Sequence, residues 1–212
     1  MPHKSTPGVN NKRISINYEI KDVGKSGLAV VQLWFTRNEG RNWQKYDEQT
    51  TPQPPYVVEV SEEGLYGFTL VAQNRAGGGA PPPRAGDAPQ IWVEVDLTKP
   101  VVHLQSVDVG KGPELGNLTI TYTAADKNLS RKSITFSYAE KPEGPWTVIA
   151  AGEEYTGRFV WRMPDTVPYQ FHVRVEAADR AGNIGSAETS RPVVVDLAQP
   201  KIQVIGVEPG GK

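Results

Sequence analysis

The chain repeats itself, and that constrains it more than any single residue does. "WVEVDLTKP" (92–100) returns as "PVVVDLAQP" (192–200), and "NRAGG" (74–78) returns as "DRAGN" (179–183). "ISINYEIKD" (14–22) matches "LTITYTAAD" (118–126), and "VQLWFTRNEGRNW" (31–43) matches "ITFSYAEKPEGPW" (134–146). Four matches in one order, at offsets of 100 to 105, define a tandem duplication whose loops have drifted in length. Each copy must bury a core of its own, so any architecture has to be buildable twice in about 100 residues.

Within each copy the apolar period is two, as in strands with one buried face. Ile14, Ile16, Tyr18 and Ile20 alternate with polar residues, and so do Leu118, Ile120 and Tyr122. Val31, Leu33 and Phe35 are matched by Ile134, Phe136 and Tyr138. Tyr66, Phe68, Leu70 and Ala72 are matched by Phe171, Val173, Val175 and Ala177, and Val93 and Val95 by Val193 and Val195. No helical spacing runs beyond about two turns. The 21 Gly and 18 Pro suit many short strands joined by turns. The pattern predicts an all-β chain of two tandem antiparallel immunoglobulin-like β-sandwiches. The expected boundaries are 1–97 for the first module, its first strand weak or missing, and 98–198 for the second. Residues 199–212 read as the first strand of a truncated third module.

The strand leading into "DRAGN" and the closing "VVVDLAQP", where Asp ends a last strand and Pro opens the next module, resemble the immunoglobulin-like or fibronectin type III-like modules repeated in bacterial secreted and surface proteins. The resemblance covers nearly the whole chain. It implies a spacer or protein-binding repeat of a larger extracytoplasmic protein, located outside the cell, on its surface or in the periplasm. Such modules carry many roles on one fold, so the fold alone names no ligand. The start, "MPHKSTPGVNNKR", has no apolar stretch of the signal-peptide kind, and an exported parent would have lost its signal.

One stretch points elsewhere. Thr36-x-Asn38-x-Gly40-x-x-Trp43 resembles the Asp-box of sialidases and other β-propeller proteins, Ser/Thr-x-Asp-x-Gly-x-x-Trp. In the second copy the aligned "KPEGPW" keeps only Gly and Trp146. What the copies share is strand, Gly-containing turn, Trp, strand. Propellers also need shorter and more numerous four-stranded repeats. The motif is therefore read as a hairpin tip.

Composition closes other routes. With 23 basic residues against 24 acidic ones there is no basic surplus for nucleic acid. No apolar run approaches the ~20 residues of a spanning helix, so no membrane insertion is expected. The absence of cysteine removes disulfides, thiolate metal sites and a cysteine nucleophile. "GKS" (24–26) has Glu19 where a phosphate loop needs Gly. His3, His103 and His172 have no His or carboxylate at ligand spacing. No catalytic constellation emerges, the expectation is no enzyme, and no cofactor is implied. Asn117-Leu-Thr and Asn128-Leu-Ser are formal glycosylation sequons, meaningful only in a eukaryotic secretory host.

Two sets of residues remain as candidate sites. If Leu33 and Phe35 face inward, Trp34 faces out, and by the same rule Trp92 faces out beside Val93. Their strands flank the one carrying Gly67 and Thr69, so the two rings would frame a shallow platform suited to a sugar or a partner's apolar surface. The long loop 75–90 is the element placed to cover it. Asp126 and Asp179 are the weaker set, possible oxygen ligands for calcium. The first copy has Asn74 for Asp179 and Gly78 for Asn183, which drops charge yet keeps the turn chemistry. The turn reading leads, and no metal is expected. The partners expected are a protein or polysaccharide at the cell surface. In addition, "QPKIQVIGVEPG" (199–210) repeats the pattern of "KPVVHLQSVDVG" (99–110), which makes residues 201–208 a candidate for strand-mediated self-association of a chain cut from a longer array.

Overall fold

The computed structural model describes residues 6–197 and, beyond them, residues 202, 203, 205, 206 and 210. The first copy forms β1 (Gly8–Val9), β2 (Arg13–Ile16), β3 (Leu28–Thr36), β4 (Gln44–Gln49), β5 (Tyr56–Glu59), β6 (Gly64–Asn74) and β7 (Ile91–Val95). The second forms β8 (Val101–Val109), β9 (Asn117–Ala125), β10 (Leu129–Ala139), β11 (Thr147–Glu153), β12 (Arg158–Arg162), β13 (Gln170–Asp179), β14 (Ile184–Glu188) and β15 (Val193–Val194). A single turn of 3-10 helix, Gly112–Glu114, lies between β8 and β9. By contacts the chain divides into two compact units. The first is Met1–Val101 with Ala125–Ser133 and Ala177–Gly185; the second is Val102–Ala124, Ile134–Glu176 and Ser186–Lys212.

In the first copy a five-stranded sheet, β1-β7-β6-β3-β4, accompanies a two-stranded sheet, β2-β5. The alternation read from sequence is what makes this possible. Ile14 and Ile16 of β2 are buried, and their neighbours Arg13 and Ser15 are exposed. From the other sheet Leu33, Tyr66, Phe68, Val93 and Val95 join them in one core with Tyr56 and Val58 of β5. Tyr66 and Phe68 stack at 5.9 Å between ring centroids. Each fully buried side chain of this size contributes about 1.5–3 kcal/mol over leaving it in water.

The second copy has sheets β11-β10-β13-β14, with β15 also on β13, and β12-β9-β8. Leu118, Ile120 and Tyr122 of β9 are buried to 1% exposure or less. Phe136 stacks on Phe159 at 4.1 Å, and Tyr122 meets Phe136 edge-on at 5.3 Å.

The copies differ at the edge of β2. β8 lies beside β9, whereas β2, the repeat of β9, has among the described residues only β5 as a sheet neighbour. The residues before β2 instead place Gly8 and Val9 in parallel pairing with Glu94 and Val95 of β7. The segment expected as a third module's first strand falls mostly outside the described residues; Ile202 and Ile205, which are described, are 94% and 96% exposed.

Candidate functional site

Register places the two tryptophans on one face. Trp34 of β3 pairs with Thr69 of β6, and Trp92 of β7 pairs with Gly67. Directly paired residues share a face, and positions two apart on β6 do as well, so both rings flank Gly67 and Thr69. Each ring is half-buried, and the Trp34 indole N–H donates to Gln32 Oε1 at 3.2 Å. The floor between them is occupied. A Cβ on Gly67 would run into the Pro89 ring and come within 2.9 Å of Thr36 Cγ2. Gln90 fastens the same loop to β6: its N–H donates to the Phe68 carbonyl at 3.0 Å, and its Oε1 accepts the Leu70 N–H at 3.0 Å. Pro89 is the residue that sequence reasoning did not single out here. The signal was available in the pairing of a side-chain-free Gly67 with a proline-rich loop long enough to lie on it.

The Asp-box-like stretch is the tip of the β3–β4 hairpin. Thr36 Oγ1 accepts the N–H of Asn38 at 3.3 Å and of Gly40 at 3.1 Å, and Asn38 Oδ1 accepts the N–H of Asn42 at 2.9 Å. Thr36 is only 1% exposed, so its oxygen is spent on the turn. Loop 75–90 reaches this tip as well, where the Gly86 N–H donates to the Gly40 carbonyl at 2.9 Å.

A second constellation within the first unit gathers three carboxylates. Asp96, Asp126 and Asp179 each place an oxygen within 4.8 Å of the others. Asp126 and Asp179 were legible as candidates; Asp96, at the end of "VEVD", was not. The oxygens are engaged locally. Asp179 Oδ1 accepts the Asn183 N–H at 2.8 Å and its Oδ2 the Asn183 side-chain amide at 2.7 Å. Asp126 Oδ1 accepts the Asn128 N–H at 2.5 Å. Asp96 Oδ2 accepts the Asn128 amide at 2.6 Å, and its Oδ1 accepts the Thr98 N–H at 3.1 Å. The Asn183 amide also donates to the Asp96 carbonyl at 2.8 Å. The cluster is a set of hard oxygen donors partly saturated by amide hydrogens, and its evident product is local: it ties the turns at 126–128 and 179–183 to the end of β7.

His3 lies outside the described residues, and the two described histidines form no shared metal-ligand group. His172 Nδ1 meets the Thr189 carbonyl at 3.1 Å on β13, and His103 lies exposed on β8.

With this geometry in view the comparisons are informative about fold. No protein-family model matches the sequence, and neither does any curated protein. Among solved structures, the chain is similar to the fibronectin(III)-like modules of Clostridium thermocellum CbhA: 19% identity, a TM-score of 0.54, and 94% of each chain covered. It is also similar to the FN1–FN3 domains of chicken CNTN1, at 18% identity and a TM-score of 0.50, covering 90% of this chain and 64% of that one. The fold is thus that of tandem fibronectin type III-like, immunoglobulin-like β-sandwich modules.

Proposed function

We propose that the chain is a non-enzymatic spacer or protein-binding segment of a larger extracytoplasmic protein. The observation that supports this best is where the polar side chains go. Thr36, Asn38, Asn74, Asp126 and Asp179 accept backbone N–H groups in turns, so the chemistry-bearing residues maintain the scaffold. Among the described residues no helix is long and apolar enough to cross a membrane. Contact with partners then falls to sheet edges and exposed faces, including association through residues 201–208.

A panel of chromogenic glycoside, ester and phosphate substrates tests the first half of this reading, with no turnover above buffer expected. A glycan array tests the second, with no retained signal expected. Turnover would overturn the non-enzymatic reading. Glycan binding that disappears in Trp34→Ala and Trp92→Ala would replace the protein-binding role with sugar recognition on the tryptophan pair.

A further inference from the structure

Among the described residues, one edge of β2 has no strand beside it. The phase of the two-stranded sheet shows which backbone groups are free. The Val60 N–H donates to the Lys12 carbonyl at 3.0 Å, and the register continues as Ile14↔Val58 and Ile16↔Tyr56. In an antiparallel ladder every second residue turns its N–H and C=O to the same neighbour. Lys12, Ile14 and Ile16 therefore face β5, and Arg13 and Ser15 turn theirs to the other edge. There the Arg13 N–H is taken by Asn11 Oδ1 at 2.8 Å, while the Arg13 carbonyl and both Ser15 groups look outward on an exposed strand.

The second copy shows what such an edge takes. On β9 the Tyr122 N–H donates to the Gly157 carbonyl at 3.0 Å, which sets the same phase toward β12. Its opposite edge is filled by β8: the Gly110 N–H donates to the Asn117 carbonyl at 2.8 Å. Asn117 is the repeat counterpart of Arg13, and Thr119 that of Ser15, so the groups used on β9 are those left open on β2. The cores register the difference. Leu118 and Ile120 are 0% exposed; their counterparts Ile14 and Ile16 are 6% and 7%.

The donor is written in the sequence. Residues 199–210, "QPKIQVIGVEPG", align without a gap on 99–110, "KPVVHLQSVDVG". Pro200, Val207 and Gly210 are identical to Pro100, Val107 and Gly110, and Ile202 and Val204 stand for Val102 and Leu104. Within β8, Val102 is buried and Leu104 half-buried, so the substituted positions keep the apolar phase.

We infer that residues 201–210 of one chain add antiparallel along β2 and the residues that follow it, 17–22, of a second chain, as β8 adds along β9, giving head-to-tail association between copies. Transfer of the β8 contact sets the Gly210 N–H at the Arg13 carbonyl. The inference rests on the interaction-module reading and deepens it by naming acceptor and donor.

The test uses complementation in the full chain. Ser15→Pro removes an outward N–H from the acceptor, and Ile202→Asp with Val204→Asp spoils the apolar phase of the donor. Light scattering across a concentration series is expected to show a mass that rises for the unaltered chain and stays monomeric for each variant alone. Mixed together, the two variants retain one intact acceptor and one intact donor, so a 1:1 pair and nothing larger is expected. Should Ser15→Pro fail to fold, a synthetic peptide of residues 199–210 offered to the Ile202→Asp, Val204→Asp chain reads the acceptor directly, with saturable 1:1 binding expected. A monomeric unaltered chain at its highest soluble concentration overturns the inference. So does a donor variant that associates like the parent, or a peptide that does not bind. None of these outcomes touches the non-enzymatic reading, which falls only on turnover.

Discussion

Pro89 lies on Gly67, its ring filling the space where any other residue would carry a side chain. Gly67 is buried between Thr36 and Trp92, its partners on the two adjacent strands, so nothing beside it can yield cheaply. Gly67→Ala forces the loop at 89–90 off the sheet or spreads β3 from β6. Overpacking of this kind costs about 1–3 kcal/mol. The midpoint of thermal unfolding is expected to fall, with Trp34 and Trp92 becoming more accessible to a collisional quencher. Unchanged stability together with unchanged quenching would mean that the loop does not lie where the structure puts it.

Asn74 and Asp179 hold the same turn in the two copies. Asn74 Oδ1 accepts the Gly78 N–H at 2.8 Å, as Asp179 Oδ1 accepts that of Asn183, and the third residues, Gly77 and Gly182, have φ of +82° and +92°. One oxygen suffices for the turn, and the second oxygen of Asp179 accepts the Asn183 side-chain amide at 2.7 Å, a bond that Gly78 does not call for in the first copy. In the second case the charge sits near Asp96 and Asp126, where like charges oppose one another. Asp179→Asn relieves that repulsion but turns an amide toward the buried Asn183 amide, so the fold is expected to hold with stability in chelator lowered by about 1–3 kcal/mol, read from denaturant midpoints. Calcium is expected to have no effect on either protein. A calcium-dependent stabilisation that vanishes in Asp179→Asn would instead mark the cluster as a cation site.

The sandwiches were legible because period two survives in both copies and the duplication supplies each strand with an internal control. Trp34 and Trp92 could be placed on one face by alternation alone. What alternation cannot encode is contact between residues far apart in sequence. Pro89 on Gly67 depends on the path of a loop, and Asp96 meets Asp126 and Asp179 only once three separate turns are brought together. The free edge of β2 was half visible, since 1–13 lacks alternation. The parallel pairing of Gly8 and Val9 with β7 was not, because two residues carry no period.

Thr36 explains the Asp-box-like motif without chemistry. Its buried hydroxyl accepts two turn N–H groups, of which that of Gly40 is itself buried. Thr36→Val keeps the shape and removes the acceptor, leaving a buried donor unsatisfied at about 1–3 kcal/mol. Thr36→Ser restores the oxygen and is expected to recover most of the loss. Destabilisation by Ser with no loss in Val would place the effect in the methyl group, against Gly67, and not in the hydroxyl.

Tyr56 gives the chain an alkaline limit. It is 1% exposed in the core of the first unit, and its hydroxyl has no hydrogen-bond partner among the described residues. Burial, with smaller contributions from Asp47, Tyr46, Tyr18 and Glu48, pushes its pKa from the ordinary 10.0 up to about 12. The folded value exceeds the unfolded one, so the neutral phenol favours the folded state. That contribution is fully present below pH 10 and is lost as the pH rises through 12. Tyr56→Phe deletes a hydroxyl that gave up water for no partner, so at neutral pH stability is expected to hold or rise. Between pH 10 and 12 the parent is expected to lose stability more steeply than the variant, since the variant has no buried phenol there to ionise. Tyr18, whose pKa burial also raises, remains in both proteins and supplies a shared background slope. Urea midpoints measured at neutral pH and across the alkaline range decide the matter. Parallel slopes for parent and variant would assign the alkaline loss to other groups, and a large drop for the variant at neutral pH would show that the hydroxyl does find a partner.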